Sequence, residues 1–269
     1  MEEKDRDSRY LDEIYKRLRI LKKFVLVHII LLLVTFVLFY VISVLALLEI
    51  EFAENVLTFV TNKLPVISVI SLGSLIVSAL YYAAILDFGR FEFGFIKASI
   101  IGFVYFLFSM LSPSSADANA AESVLIKTCI FGLFLYLMFF WAYCDAMKRL
   151  SKKILICSSE CWVELKRSAN VITALSAIIC GAFLIVVKVL NNFTEFDASQ
   201  YGYYSDIMWE AYDRYLDDVS RRTNAIAIFL MIGLGILVVA SVILKFYEYN
   251  CIKKTLKEDE EYDAYFDGV

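Results

Sequence analysis

The sequence predicts an all-α integral membrane protein with about six transmembrane helices. Its 269 residues are 60% apolar and 16% aromatic, whereas soluble globular domains are roughly 45–50% apolar. Six apolar stretches are each long enough, at about 1.5 Å per residue, to cross a hydrocarbon layer roughly 30 Å thick. The Lys and Arg residues are concentrated in alternate connecting segments, which is typical of a polytopic membrane protein.

The expected membrane domain covers residues 24–248 and leaves only short connections and two tails outside it. Its spans are 24–48, 66–86, 95–112, 124–144, 169–190 and 225–244. The first 23 residues are highly charged and the following apolar run is long, so we expect a spanning helix there instead of a cleaved signal peptide. The third span is the shortest. If spans 2 and 3 formed a re-entrant hairpin instead of two full crossings, both termini would still lie on the same side of the membrane.

The distribution of basic residues orients these spans. The segments on the side of the two termini hold 20 of the 26 Lys and Arg residues, and the segments on the other side hold six. Because Lys and Arg are retained on the cytoplasmic side, this bias predicts that both termini lie inside. We expect the membrane to be the cytoplasmic membrane of a bacterium.

Two cytoplasmic segments combine an apolar face with basic residues. Residues 1–23 place Tyr10, Ile14, Leu18 and Leu21 at helical spacing, which predicts an interfacial helix lying on the inner leaflet. The loop over 145–168 is similarly predicted to be a helix leaning on that surface. We expect the basic side chains of both segments to contact anionic lipids, namely Lys16, Arg17, Arg19, Lys22, Lys23, Lys148, Arg149, Lys152 and Lys153.

The largest external segment, 191–222, is rich in tyrosine and acidic residues. Ser205 is a suitable cap for a helix in which Asp206, Glu210, Asp213 and Asp217 form a carboxylate stripe along one face. The stripe could attract cations or bind a basic partner. The alternative is the solvated face of an amphipathic helix.

The sequence contains no catalytic motif, and we expect no enzyme activity, no metal and no cofactor. No Asp, Glu or Arg falls in the middle of an expected span, which argues against proton-coupled transport. His28, the one histidine, is either a packed side chain or a pH sensor.

Cysteines and small residues each leave two interpretations open. Cys157 and Cys161, one turn apart, are either modified or redox-active thiols or ordinary reduced thiols. Small residues in spans 2 and 6, including Gly73, Gly233 and Gly235, indicate either an oligomer interface or pore lining, or packing within one protomer.

These features lead to two hypotheses about function. The first is a non-catalytic, oligomeric membrane subunit that acts as a sensor, regulator or pore component in bacterial stress, defence or immunity. Its acidic-aromatic tail, 249–269, would bind a soluble cytoplasmic partner protein through Tyr262, Tyr265 and Phe266. The expected partners are thus membrane lipids, a second copy of this chain and a soluble cytoplasmic protein, and we expect no direct contact with nucleic acid.

The second hypothesis is a permease or channel for a small solute, alone or with a motor ATPase. Six spans with cytoplasmic termini and a preceding interfacial helix resemble the permease subunits of bacterial exporters in architecture. That family usually has a long cytoplasmic coupling segment after span 2, where this chain has only residues 87–94. The resemblance therefore assigns no residue a role.

Overall fold

The computed structural model describes residues 2–41, 64–110, 118–154, 159–190 and 206–266, and every regular element in these ranges is helical. A π-helical segment, Phe36–Val41, continues the first helix, and a 3-10 turn, Phe88–Arg90, joins the second helix to the third. The α-helices are α1 (Glu2–Thr35), α2 (Leu64–Asp87), α3 (Gly94–Met110), α4 (Ala118–Lys153), α5 (Ser159–Leu190) and α6 (Asp206–Phe266).

Four described helical segments are long and apolar enough to cross a bilayer: Leu72–Arg90, Ile130–Lys153, Ser159–Val186 and Gly235–Leu256. A shorter apolar segment, Gly94–Phe108, lies in α3. The expected first span, 24–48, continues outside the described residues. Helix length and hydropathy thus confirm an all-helical, candidate multi-pass membrane protein.

The six α-helices form a closed ring of antiparallel neighbours. Each helix packs against the next one in sequence, and α1 packs against α6. In every neighbouring pair, residue numbers rise along one helix while those of their contacts fall along the other. Two contacts show this for each pair of helices: Arg17–Asp87 and His28–Ser78 for α1 and α2; Gly89–Ile96 and Tyr82–Ser99 for the α2 end and α3; Phe95–Tyr143 and Phe108–Phe131 for α3 and α4; Trp141–Asn170 and Asp145–Lys166 for α4 and α5; Glu164–Tyr247 and Ile179–Gly233 for α5 and α6; and Lys22–Tyr249 and Phe36–Gly235 for the α1 segment and α6.

One end of this ring carries most of the ion pairs between described helices, and we call it the charged end. Arg17 of α1 contacts Asp87 of α2 at 2.6 Å, and Lys166 of α5 contacts Asp145 of α4 at 2.8 Å. Glu92, in the turn between α2 and α3, contacts Lys153 of α4 at 2.6 Å. The start of α1 and the C-terminal part of α6 both lie at this end, as the antiparallel order requires.

Away from the charged end, the outward faces of the helices are apolar and exposed. Val171, Ile178 and Ile185 of α5 are 66–68% exposed, and Ile130 of α4 is 65% exposed. Exposed apolar surface of this extent is unfavourable in water but suits a helix surrounded by lipid tails. The burial pattern therefore agrees with the hydropathy of the segments.

Two expectations about surface helices are corrected by the packing. Residues 1–23 do not form a separate interfacial helix, because α1 runs unbroken to Thr35 and its Ile14, Leu18 and Leu21 are at most 1% exposed. These side chains pack into the bundle instead of resting on lipid. The helix expected over 145–168 is likewise the end of α4 and the beginning of α5, whose Leu150 and Leu165 are buried; 155–158, including Cys157, lie outside the described residues.

Glycines in the described helices fall into two groups. A Cβ atom on Gly233 of α6 would lie 3.0 Å from Ile179 of α5, and one on Gly235 would lie 3.9 Å from Phe36. Gly233 therefore permits close packing of α6 on α5 within one protomer, whereas a Cβ atom at Gly235 would make an ordinary contact. Gly73, Gly132 and Gly181 have nothing within 4 Å of an added Cβ atom.

Gly102 is the tightest of these sites. An added Cβ atom would overlap the ring of Tyr82 and approach Phe139 to 3.2 Å. The Tyr82 ring is itself held by edge contacts with Tyr81 and Phe139, at centroid distances of 5.3 and 5.2 Å. We expect Gly102→Ala to lower the free energy of unfolding by about 1–3 kcal/mol, although alanine is the better helix former.

Thermal unfolding in detergent micelles measures this effect, with Gly132→Ala as the matched control. The control should be neutral or slightly stabilising, since its Cβ atom meets open space. Equal melting temperatures for the two variants would contradict the close approach of α3 to α2 and α4.

The contact between Glu92 and Lys153 should also give stability an acid-dependent part. The hydrogen bond and ion pair with Lys153 lower the pKa of Glu92 below its ordinary value of 4.5. A carboxyl group whose pKa is lower in the folded state stabilises that state above the unfolded pKa. The stabilisation should then be lost as the pH falls below about 4.5 towards the folded-state value.

Melting temperatures of Glu92→Gln and wild-type protein over a range of pH test this contribution. We expect the variant to be less stable above about pH 5 and the difference to shrink as the medium becomes more acidic. Asp12→Asn, at an exposed site of α1, serves as the control. A difference for Glu92→Gln that does not change with pH would refute the assignment.

Candidate functional site

The described part of the bundle contains a buried pair of opposite charges on α6. Lys245 and Glu248 are one helical turn apart, and Lys245 Nζ donates to Glu248 Oε2 at 2.8 Å. The Glu248 side chain is fully buried and that of Lys245 is 10% exposed. Charged side chains are rarely buried to this degree unless they are paired, because loss of hydration is costly.

A tyrosine from the neighbouring part of the ring completes the hydrogen bonding of this carboxylate. The Tyr81 hydroxyl of α2 donates to Glu248 Oε1 at 2.7 Å, so each carboxylate oxygen has a donor. Lys245 Nζ lies 4.0 Å from the centroid of the Tyr81 ring and 5.6 Å from that of Phe140 in α4. The ammonium group therefore has both an ionic partner and aromatic faces that favour a cation.

Three further polar side chains border the pair, and we call the whole set the buried polar cluster: His28, Ser78, Tyr81, Tyr143, Lys245 and Glu248. His28 lies edge-on to the Tyr81 ring at 5.8 Å, and its Nε2 atom is 3.5 Å from Ser78 Oγ. The Tyr143 hydroxyl faces Glu248 without a hydrogen bond of regular geometry. The cluster thus draws on α1, α2, α4 and α6.

The cluster has spare hydrogen-bonding capacity. His28 Nδ1 and the Tyr143 hydroxyl are buried without a hydrogen-bond partner in the described part of the chain. Buried polar atoms in this state are costly, and ordered water commonly satisfies them. The buried polar cluster can therefore bind a water or another small polar molecule, or rearrange its own hydrogen bonds. The ion pair meanwhile keeps the net charge of the cluster near zero.

Among the described residues, no group of three or more His, Cys, Asp or Glu side chains is placed to hold a metal ion. The buried polar cluster itself offers one carboxylate and one imidazole.

Lys245 and Glu248 are the residues that the sequence analysis missed. Hydropathy ended the sixth span at 244, so Lys245 was counted among the cytoplasmic charges. The signal that could have found them is helical spacing: Leu244, Glu248, Cys251, Ile252 and Thr255 are all buried and continue one face of α6 beyond that boundary.

The carboxylate stripe predicted on the external segment lies at the N-terminal end of α6. Glu210, Asp213 and Asp217 are exposed there, whereas the side chain of Asp206 lies outside the described residues, as does Ser205. Arg214 contacts Glu210 at 3.4 Å on the same helix. A role in binding a cation or a basic partner stays a prediction.

The basic residues expected to contact lipid divide into two sets. Arg17 contacts Asp87 and Glu13, Arg149 and Lys153 contact Glu92, and the Lys22 ammonium group lies 5.3 Å from the Tyr249 ring. Lys148 is half-buried, and the exposed residues of the set are Lys16, Arg19, Lys23 and Lys152. Lipid contact also stays a prediction.

The tail residues Tyr262, Tyr265 and Phe266 lie on the last turns of α6, and their side chains are outside the described part of the chain. Residues 249–256 belong to the bundle, because Cys251, Ile252 and Leu256 are at most 8% exposed. A tail free of the bundle would therefore begin after Leu256.

No protein-family model, curated protein or solved structure matches this chain. The buried polar cluster therefore has to be interpreted from its own geometry.

If Lys245 tolerates burial because it is paired with Glu248, removing one charge should destabilise the protein more than removing both. Glu248→Met should leave the Lys245 ammonium group buried without its partner and lower the free energy of unfolding by about 3–5 kcal/mol. The double variant Lys245→Met, Glu248→Met removes both charges. It should be clearly more stable than the single variant, although both lose the hydrogen bond from Tyr81.

Unfolding in detergent, followed by tryptophan fluorescence, gives the comparison. A double variant that is less stable than Glu248→Met would show that Lys245 does not depend on Glu248 for its burial.

Proposed function

We propose that this chain is a non-catalytic membrane subunit that senses or regulates, coupling a change at the outer face to a cytoplasmic partner. It would cross a bacterial cytoplasmic membrane six times with the charged end inside. The antiparallel ring supports this topology, because six alternating helices return both termini to one end. The excess of Lys and Arg in the same segments supports the orientation.

The observation that carries the proposal is the continuity of α6. This helix runs unbroken through 61 residues, from Asp206 to Phe266. At about 1.5 Å per residue it is roughly 90 Å long, three times the thickness of a hydrocarbon core. One element thus carries the external carboxylates, the buried ion pair and the segment proposed to bind a partner.

The buried polar cluster supports a coupling role for this helix. Tyr81 joins α2 to α6 through the carboxylate of Glu248, and the Lys245 ammonium group lies against rings of α2 and α4. Sliding or rotating α6 would pull Glu248 away from the Tyr81 hydroxyl and Lys245 away from the aromatic rings, in a region poor in water. The helix is therefore expected to occupy two discrete packing arrangements, in both of which Lys245 stays paired with Glu248, instead of moving continuously.

A permease or channel is the second candidate, and the buried cluster itself favours it. Ionisable side chains inside a membrane bundle commonly mark the path of a proton or ion. In this proposal Glu248 would be the residue on the path. Flux of protons or potassium ions through liposomes containing the purified chain alone, abolished by Glu248→Gln, would favour this second function.

Coupling along α6 can be tested with a fluorescent probe at its inner end. Lys253 is exposed at the charged end, so a fluorescent non-natural amino acid should be tolerated there. In nanodiscs, replacing Glu210, Asp213 and Asp217 with their amides should shift the probe's emission. The same substitutions should leave a probe at Lys152, at the end of α4, unchanged.

Equal responses at Lys253 and Lys152, or no response at either, would refute transmission through α6. Sedimentation of the same preparations would report whether the chain is a homo-oligomer, as we also propose.

A further inference from the structure

Two cysteines from different helices meet at the charged end of the bundle. Cys161 is in the first turn of α5, and Cys251 is on the part of α6 that packs against it. The Cys251 thiol donates to the backbone carbonyl oxygen of Cys161 at 3.4 Å, which places the two cysteines side by side. Both cysteines are in the reduced state in this structure.

Neighbouring contacts hold the two helices together at this level. The Tyr247 hydroxyl of α6 donates to Glu164 Oε2 of α5 at 2.6 Å, about one turn from the cysteines on each helix. The cysteines are 90 residues apart in sequence. Their proximity is thus a product of the fold and would be absent from an unfolded chain.

The two thiols differ in access. Cys161 is half-buried, whereas Cys251 is 3% exposed. The backbone N–H groups at the start of a helix favour the anionic thiolate, which is the reactive form of cysteine. Cys161 is therefore suited to react first with a small oxidant, and Cys251 to react with the product.

We propose that Cys161 and Cys251 form a reversible disulfide when the protein meets a peroxide. The Cys161 thiolate attacks one oxygen of hydrogen peroxide, giving a sulfenic acid and hydroxide, which takes up a proton to become water. The Cys251 sulfur then attacks the Cys161 sulfur, the S–S bond forms, and the sulfenic oxygen leaves as a second water. Two thiols have lost two electrons and two protons, and one peroxide has been reduced to two waters.

The disulfide would tie the C-terminal part of α6 to the beginning of α5. Its formation does not depend on the proposed function; only its effect on transmission along α6 rests on that proposal. A small dithiol would reverse it by thiol–disulfide exchange, in which the dithiol is oxidised and both cysteines are reduced.

Counting reactive thiols in the full chain tests the pairing. Protein in nanodiscs is treated with hydrogen peroxide, denatured and labelled with a polyethylene glycol maleimide, which adds a fixed mass to each free thiol. With six cysteines, the reduced wild-type chain should carry six adducts and the oxidised chain four, restored to six by dithiothreitol. Mass spectrometry of an unreduced digest should find one peptide pair, containing Cys161 and Cys251.

Matched serine variants distinguish this pair from the other cysteines. Cys161→Ser and Cys251→Ser should each abolish the peroxide-dependent loss of two adducts. Cys144→Ser, Cys157→Ser and Cys180→Ser should retain it. Loss of the effect in Cys157→Ser, its persistence in Cys251→Ser, or oxidation that dithiothreitol does not reverse would overturn the proposal.

The probe at Lys253 separates this inference from the proposed function. If both hold, oxidation should reduce the probe's response to the outer substitutions in the wild-type background and leave it unchanged in Cys251→Ser. An unchanged adduct count refutes the disulfide whatever the probe does, whereas an unresponsive probe in reduced protein refutes only the transmission.

Discussion

A lysine and a glutamate are buried together on the longest described helix, and side chains of α2 and α4 contact them. In a medium of low dielectric constant, an isolated charge is costly, whereas a pair with complete hydrogen bonding is tolerated. Lys245 supplies one donor to Glu248, and Tyr81 supplies the other. The aromatic rings of Tyr81 and Phe140 then face the ammonium group, which fixes α2 and α4 beside α6.

The ring of antiparallel helices gives this pair its setting. Large aromatic side chains such as Phe95, Phe139 and Trp162 are buried at the same end as the ion pairs of α1 and α4. At the opposite end, most described side chains are exposed or half-buried. Among the described residues, the charged end is thus better packed, and α6 extends from it along the described part of the bundle.

The sequence predicted the helical class and the approximate position of each helix, because hydropathy is a local property and the apolar runs are long. It also predicted an apolar helical face through Tyr10, Ile14, Leu18 and Leu21, of which the last three are buried and Tyr10 is 41% exposed. It placed that face on lipid, since an amphipathic pattern does not reveal whether lipid or protein covers the apolar side. The structure shows that helices α2 and α6 lie there.

The buried ion pair could not be predicted by the same reasoning. Hydropathy treats Lys245 and Glu248 as signs that a span has ended, yet their burial depends on Tyr81, which is 167 residues away from Glu248 in sequence. The contact of Cys161 with Cys251 is similarly a product of tertiary packing. Such sites follow from which helices become neighbours, and a single sequence contains little information on that choice.

The proposed coupling depends on α6 being one continuous helix from Glu210, Asp213 and Asp217 to the charged end. A pulsed electron paramagnetic resonance measurement between spin labels at Asp213 and Lys253, both exposed, tests it most directly. Because the two positions are 40 apart in sequence (253 − 213), a continuous helix predicts a narrow distance distribution near about 60 Å. A broad distribution, or one centred well below about 50 Å, would show that α6 bends or breaks between Asp213 and Lys253.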